Sequence, residues 1–478
     1  MYNTKLNLTR RAFLGDSSIG FGAAALASMT LAGRASDEQA QPSLARSANN
    51  LPHFAPTAKR VIFLYMSGGP SHLELFDHKP ALARLHLQPM PESFTRGQPI
   101  AQLQNAELKC FAPQFRFRRA GQSGQEISEL LPNISRIADD IAIVRSMHTD
   151  QINHDPAHTL MNTGTQISGR PSMGSWITYG LGSESDNLPG FIVLTSFGGR
   201  NPQPISQRQW AAGFLPGRYQ GVPFSSTGDP VHYLSNPPGV SRNLQRDSID
   251  AIRDLNLVQN ERSRNPEVET RIAQYEMAFR MQTSVPELMD IANEPRHVKE
   301  MYGVSAADGS FGYNCLLARR LAERGVRFIQ LYHRDWDTHD SIVNTMRICA
   351  GHCDGPSAAL VRDLKARGML DDTLIIWGGE FGRTPMVQFK GSAPGRDHHI
   401  RGYSMWLAGG GIKGGVTYGA TDELGYRAVE NPVHVRDLHA TMLHTLGIDH
   451  TRLTYRHQGL DMRLTGVEPA RVVNQILV

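Results

Sequence analysis

The chain has 478 residues and a formal net charge of +4. Its arginines and acidic residues are interspersed, without a basic stripe or an RNA-binding motif, which excludes nucleic acid as an implied partner. Length alone allows two or three domains, and the four cysteines are interpreted as structural.

The amino terminus carries a pattern typical of export signals. Residues 9–14 read TRRAFL, and residues 19–31 form a short apolar stretch rich in Gly, Ala and Ser. Paired arginines before such a stretch predict a twin-arginine signal over residues 1–35 and a periplasmic or extracellular location. The stretch is too short and too small in its side chains for a stable membrane span. Residues 36–55 are polar and contain proline, which predicts a linker before a domain over 56–478.

The first predicted strand covers residues 61–66 (VIFLYM) and ends in a Gly-rich turn. Such a continuous apolar run is typical of a strand buried on both faces of a parallel sheet. His72 and Asp77 follow within reach of its end. Residues 80–120 have irregular periodicity and many prolines, which predicts a loop-rich insertion.

Residues 126–139 have helical apolar spacing, and residues 141–147 (IAIVRSM) are predicted to form the next strand. A dense polar cluster follows that strand. Within it, Asp155 before a proline favours a helix start, and His154 and His158 lie one helical turn apart. Helix amino termini attract anions, so this cluster is a candidate functional site. Further along, residues 191–196 predict a strand and residues 198–240 a long irregular excursion.

The clearest unit begins with a helix at residues 313–324, followed by a strand at 326–333 and then RDWDTHDS. Asp337 and His339 lie in this acidic segment. Several carboxylates with an imidazole are costly to leave unpaired, and they are natural ligands around a cation.

The last unit contains a buried strand at residues 373–379, with Glu380 just beyond its end. Asp397 and His398 follow in the sequence GRDHH. A strand is predicted at 403–408, a peripheral hairpin at 412–419 and a helix at 434–446.

Because parallel strands end at one edge of a sheet, we expect these polar side chains to converge there. The carboxylates among them repel one another unless a cation compensates. The predicted cofactor is a divalent metal ion, and the mixed oxygen and nitrogen ligands suit zinc, manganese or calcium. The predicted ligands at this edge are Asp337, His339, Glu380, Asp397 and His398, with His72 and His154 facing them.

The chain resembles the alkaline phosphatase and sulfatase superfamily, and within it an uncharacterised family of twin-arginine-exported, sulfatase-like bacterial proteins. The resemblance covers nearly everything after the signal and rests on SGGPSHLELFD, SMHTDQINHDPAHTLMNTG, WDTHD, WGGEFGRTP, GRDHH and NPVHVRDLHATMLHTLG. It implies an α/β fold, a three-layer sandwich with a central, mostly parallel sheet.

The resemblance also implies roles for individual residues. His154 stands where the superfamily has its Ser, Thr or Cys nucleophile, so the predicted catalytic residues are His154, its neighbours Asp155 and His158, and Arg383. His72 or Asp77 would replace the metal-binding Asp that follows the first strand, and Glu380 resembles the Asp of a later ligand turn. The C/S-x-P-x-R core of sulfatases is absent.

These features predict a metal-dependent hydrolase acting on phosphate or sulfate esters, including those of a polysaccharide. The nucleophile is either a metal-activated water or His154, and Arg383 or Arg396 would hold the ester's non-bridging oxygens. The alternative is a non-catalytic exported protein that keeps the fold and binds an anionic or sulfated polysaccharide. Metal content distinguishes the two, since the enzyme requires a bound ion.

Overall fold

The computed structural model describes residues 51–478, except 197, 199–202, 229, 232–235, 237–238, 264–265 and 392. The predicted export signal and most of the predicted linker lie outside the described residues.

The described helices are given first, in chain order. They are His72–Leu75 (α1), Pro80–Arg84 (α2), Glu92–Thr95 (α3), His154–Thr163 (α4), Met173–Leu181 (α5), Arg242–Ser263 (α6), Pro266–Met289 (α7), Arg296–Tyr302 (α8), Phe311–Glu323 (α9), Ile342–Ala366 (α10) and Val435–Thr445 (α11).

The strands of the first half are Arg60–Met66 (β1), Phe117–Ala120 (β2), Gln125–Ser128 (β3), Ile141–His148 (β4), Phe191–Thr195 (β5) and Val222–Phe224 (β6). Those of the second half are Phe328–His333 (β7), Thr373–Gly378 (β8), Gly382–Arg383 (β9), Gln388–Lys390 (β10), Ala393–Gly395 (β11), His398–His399 (β12), Tyr403–Ala408 (β13), Val416–Tyr418 (β14), Ala420–Thr421 (β15), Ala428–Glu430 (β16), Val433–His434 (β17), Tyr455–His457 (β18) and Leu460–Met462 (β19).

The central sheet has the strand order β14-β4-β13-β8-β1-β7-β5-β6, with β17 also pairing with β4. β1 lies between β7 and β8 and runs parallel to both. β13 is antiparallel to its two neighbours, β4 and β8, and the other pairs along this path are parallel. The prediction of a central, mostly parallel sheet is confirmed.

Helices cover both faces of this sheet. Ile62, Leu64 and Met66 of β1 belong to one hydrophobic core together with side chains of α9 and α10. The alternate residues of β1 belong to a second core with side chains of α5 and α11. Because successive side chains of a strand point to opposite faces, this division makes the fold the predicted three-layer sandwich.

The predicted helix at 126–139 is wrong. Residues 125–128 instead form β3, which pairs with β2, and residues 134–140 form a 3-10 helix. Pro132 lies between them and lacks the amide hydrogen that a continuing helix needs. The carboxylate of Asp354 then accepts hydrogen bonds from the backbone amides of Asn133 and Ile134.

The predicted peripheral position of residues 412–419 is confirmed, since β14 is the edge strand of the central sheet, but the predicted hairpin is wrong because β14 runs parallel to its neighbour β4. Ile412 makes an isolated antiparallel bridge to Leu477 instead. The described part of the predicted excursion over 198–240 includes the edge strand β6 and two short 3-10 helices, which its composition hid. Among the described residues, no helix combines the length and the apolar character that crossing a membrane requires.

Two buried histidines predict that stability depends on pH. Burial lowers the pKa of His439 to about 4 and that of His333 to about 3. The unfolded chain, with a pKa near 6.5, takes up protons first as the pH falls, so stability is lost below that value. We expect a loss of about 2 kcal/mol for each histidine between pH 7.5 and pH 5.

Urea unfolding at the two pH values measures this loss. His439→Gln removes one titrating group, so its loss should be smaller by about 2 kcal/mol. Equal stability of the unmodified protein at pH 7.5 and pH 5 would contradict the prediction.

Candidate metal centre

The candidate site lies at the edge of the sheet where β1, β7 and β8 end. Asp337 and His339 follow β7, His154 begins α4, and His398 lies in β12 just before β13. Because β13 is antiparallel to β8, its beginning lies at the edge where the parallel strands end. The antiparallel strand therefore carries the GRDHH segment to the site.

Four side chains, from His154, Asp337, His339 and His398, form what we call the ligand cluster. One potential ligand atom from each lies within 4.8 Å of the others. The Asp337 Oδ1 atom is 3.3 Å from His154 Nε2, 3.1 Å from His339 Nε2 and 3.3 Å from His398 Nε2. The Nε2 atoms of His339 and His398 are 2.9 Å apart.

Hydrogen bonds on the far side of each imidazole fix which nitrogen faces the cluster. His398 Nδ1 donates to the backbone oxygen of Ile152 at 2.8 Å, and His339 Nδ1 donates to Gln388 Oε1 at 2.6 Å. His154 Nδ1 lies 2.7 Å from Glu380 Oε1 and donates to that carboxylate. All three rings therefore direct Nε2 into the cluster, as metal-ligating histidines do.

The charges of the cluster leave two imidazole lone pairs facing each other. Burial lowers the pKa of His339 to about 3, helped by the nearby Arg383 guanidinium, and burial also lowers the pKa of His398. Both rings are neutral at physiological pH, and their Nε2 lone pairs repel at 2.9 Å. A cation between them removes this repulsion.

Asp337 is held as a carboxylate. Burial opposes its ionisation, but the Arg383 guanidinium, 2.5 Å away, and the imidazoles of His154 and His398 hold its pKa well below the usual range. Burial also disfavours the charged form of His154, yet Asp337 and Glu380 raise its pKa. A proton and a metal ion therefore compete for His154 Nε2.

The geometry of the cluster fits a small divalent ion. Ligand bonds of about 2.0–2.1 Å in a tetrahedral site place neighbouring ligand atoms about 3.3 Å apart. The three distances from Asp337 Oδ1 and the distance between His339 and His398 are 2.9–3.3 Å, and the remaining pairs lie within 4.8 Å. The His154 Nε2 atom is buried and makes no hydrogen bond. The residues present thus fit a divalent metal.

Glu380 and Asp397, both predicted as ligands, lie outside the ligand cluster, although Glu380 forms a second group of potential ligand atoms with His154 and His158. Glu380 is fully buried and accepts hydrogen bonds from His154 Nδ1 and, at 3.0 Å, from the backbone nitrogen of Gly68. Asp397 accepts from the backbone nitrogens of Gln102 and Leu103 at 2.6 and 3.0 Å. Glu380 therefore orients the His154 ring, and Asp397 anchors the loop that contains Gln102 and Leu103.

Gly68 shows how closely the loops approach one another. Its φ is +120°, and a Cβ built on it would lie 2.5 Å from the backbone nitrogen of Asp337. A larger residue would therefore displace the loop that carries Asp337.

The structure does not bring His72 or Asp77 into the ligand cluster. Burial lowers the pKa of His72 to about 4, and its Nε2 lies 2.9 Å from the backbone oxygen of Gly425. Asp77 forms an ion pair with Lys79 at 3.0 Å and accepts a hydrogen bond from Thr421. The turn after β1 places α1 against β3 and β9, which directs both side chains elsewhere.

His158 and Asp155, predicted as catalytic, are not members of the ligand cluster, although the His158 ring stacks on that of His154. His158 is buried one turn below His154, with its Nδ1 2.8 Å from the Tyr65 hydroxyl and its Nε2 3.3 Å from that of Ser67. Asp155 is exposed and pairs with Arg208 at 2.6 Å.

The two arginines proposed to hold ester oxygens are both fully buried. Arg383 donates to the backbone oxygens of Gly68 and Gly69 as well as to Asp337. Arg396 pairs with Glu74 at 2.7 Å and donates to backbone oxygens. With their donors directed at protein acceptors, both serve as positioning residues.

Besides Gln388, which binds His339 Nδ1, sequence reasoning missed two further glutamines that contact the ligand cluster. Gln203 Nε2 donates to Asp337 Oδ2 at 2.9 Å, and Gln102 Nε2 lies 3.1 Å from His339 Nε2. Each lies in a segment predicted to be irregular, where a glutamine carries no distinguishing pattern.

Several solved structures are similar to this chain at low identity. A comparison with the PsFucS1 sulfatase from Pseudoalteromonas sp. gives a TM-score of 0.34 and 11% identity, covering 82% of this chain and 68% of that one. The phosphonate monoester hydrolase SpPMH from Silicibacter pomeroyi gives a TM-score of 0.32 and 11% identity, covering 88% of this chain and 76% of that one. The lipoteichoic acid synthase LtaP from Listeria monocytogenes gives a TM-score of 0.31 and 10% identity, covering 88% of this chain and 78% of that one.

Because each of these TM-scores is below 0.5, we draw nothing about the site from them. No curated protein matches the sequence. A family model does match, over residues 58–477, a range that includes every residue of the ligand cluster. The chain therefore belongs to the family described as "Protein of unknown function (DUF1501)".

Proposed function

We propose that this protein is an exported, zinc-dependent hydrolase of phosphate or sulfate esters. The observation that carries the proposal is the ligand cluster, in which three imidazole nitrogens and one carboxylate oxygen face a common point. Imidazole ligands favour zinc, whereas calcium takes six to eight oxygen ligands. The sequence resemblance to the sulfatase and alkaline phosphatase superfamily supports an ester of an oxyanion as the substrate.

The chain's own residues would hold and tune the ion. His154, His339, His398 and Asp337 are the ligands, and Arg383 keeps the half-buried Asp337 ionised. A bound zinc ion polarises an ester oxygen and lowers the pKa of a bound water. Hydrogen-bond acceptors behind the three rings keep each Nε2 directed inward, which maintains metal affinity.

His154 is better suited to the ligand role than to the nucleophile role. Its Nδ1 is bound to Glu380 and its Nε2 faces Asp337. Attack by either nitrogen would require the ring to leave the cluster, so water is the nucleophile that this arrangement favours. The twin-arginine pattern supports work outside the cytoplasm.

Hydrolysis of 4-nitrophenyl phosphate, bis(4-nitrophenyl) phosphate and 4-nitrophenyl sulfate tests the proposal. We expect the zinc-loaded protein to cleave at least one of them, a chelator to remove that activity and added zinc to restore it. His398→Ala should be inactive because it removes a ligand. A zinc-loaded protein that cleaves none of these esters would instead favour the non-catalytic alternative.

A further inference from the structure

A loop from the 80–120 insertion reaches the ligand cluster through Gln102. The side-chain Nε2 of Gln102 lies 3.1 Å from His339 Nε2. Its backbone nitrogen and that of Leu103 donate to Asp397 Oδ2. The loop is therefore attached to the segment that carries His398 through its backbone, independently of the Gln102 side chain.

The orientation of the Gln102 amide follows from its other neighbours. Lys390 Nζ, which can only donate, lies 3.3 Å from Gln102 Oε1, and Gln388 Nε2 donates to the same oxygen at 3.0 Å. The amide nitrogen must therefore face His339. Gln388 Oε1 in turn accepts from His339 Nδ1, so all the bonds around this ring agree with one assignment.

Metal binding would free the Gln102 amide for another acceptor. The Nε2 lone pair of His339 can bind either a metal ion or the Gln102 N–H, but not both. Gln102 is exposed, whereas His339 and His398 are buried. The amide thus lies on the side from which a ligand in solvent reaches the cluster.

We propose that Gln102 is a substrate-binding residue, whose amide N–H donates to a non-bridging oxygen of the phosphate or sulfate group. This inference rests on the proposed function and adds the group that recognises the oxyanion. Lys390, on the far side of the amide, polarises it through Oε1 and strengthens the donor. Arg383 and Arg396 cannot take this role because their donors are directed at protein acceptors.

Gln102→Ala tests the inference, with Gln104→Ala as the matched control. Gln104 lies two residues away on the same loop, is exposed and donates to the backbone oxygen of Ile100, outside the cluster. Calorimetry would measure zinc binding to the metal-free protein and then binding of inorganic phosphate and sulfate to the zinc-loaded protein.

For Gln102→Ala we expect zinc affinity that is unchanged or a few-fold tighter, since a competitor for the His339 lone pair is removed. At least one of the two anions should bind about 10- to 100-fold more weakly, the effect of losing a hydrogen bond to a charged acceptor. Gln104→Ala should match the unmodified protein in both measurements.

Unchanged anion affinity in Gln102→Ala would overturn the inference, and so would weaker zinc binding, which would make the glutamine a support for His339. Absence of anion binding to the unmodified zinc-loaded protein would also overturn it. Failure of the unmodified protein to bind zinc would instead refute the proposed function, so the two failures are distinguishable.

Discussion

Replacing His339 by alanine should weaken zinc binding by about 100- to 1,000-fold. Four-ligand zinc sites bind with about 10–16 kcal/mol, so one ligand contributes roughly 2.5–4 kcal/mol if the shares are equal. The chain should stay folded because the variant removes the Nε2 lone pair that faces His398. Titration of the metal-free protein against a chromophoric zinc chelator measures the change.

His297→Ala is the matched control for this measurement. His297 lies on α8, is exposed and is outside the ligand cluster, so its loss should leave zinc affinity unchanged. If His339→Ala bound zinc as tightly as the unmodified protein, His339 would not be a ligand.

Replacing Arg396 by methionine should destabilise the protein by about 3–5 kcal/mol, the usual cost of leaving a buried charge without its partner. Arg396 and Glu74 are both fully buried, and their side chains are 2.7 Å apart. Arg396 also donates to the backbone oxygens of Phe111 and Ala112. It therefore joins α1, the 80–120 insertion and the segment that carries His398.

Urea unfolding of the metal-free protein measures this loss without a contribution from zinc. Adding Glu74→Gln to Arg396→Met should restore part of the stability, since the carboxylate is then no longer buried alone. The exposed pair of Arg96 and Glu92 is the matched control, and Arg96→Met should cost less than about 1 kcal/mol. Similar losses for Arg396→Met and Arg96→Met would contradict this account of the buried pair.

The sheet could be predicted because its strands are continuous apolar runs. Every residue of β1, β7, β8 and β13 is buried. Strands buried on both faces consist almost entirely of apolar residues, and that composition is visible in the sequence. The same reasoning placed the polar clusters at one edge of the sheet. It failed over residues 126–139, where helical spacing of apolar residues is satisfied by a strand, a turn and a 3-10 helix.

The roles within the site could not be predicted in the same way. Glu380 and Asp337 both follow buried strands, yet only Asp337 belongs to the group of four ligand atoms. What separates them is the reach of each side chain and the position of Gly68, whose amide binds Glu380. The sequence pattern carries neither.

His154 illustrates the same limit. Its position in the sequence resembles that of a nucleophile, and its placement among the other ligand atoms is visible only in three dimensions. Gln102 is further removed from any pattern, since it reaches His339 across 237 positions of the chain.

Anomalous diffraction at the zinc absorption edge, from crystals of the zinc-loaded protein, tests the central claim most directly. We predict one strong peak about 2.0–2.2 Å from the Nε2 atoms of His154, His339 and His398 and from a carboxylate oxygen of Asp337. A peak bound by other residues, or no peak after zinc loading, would contradict the assignment of these four side chains as a metal centre.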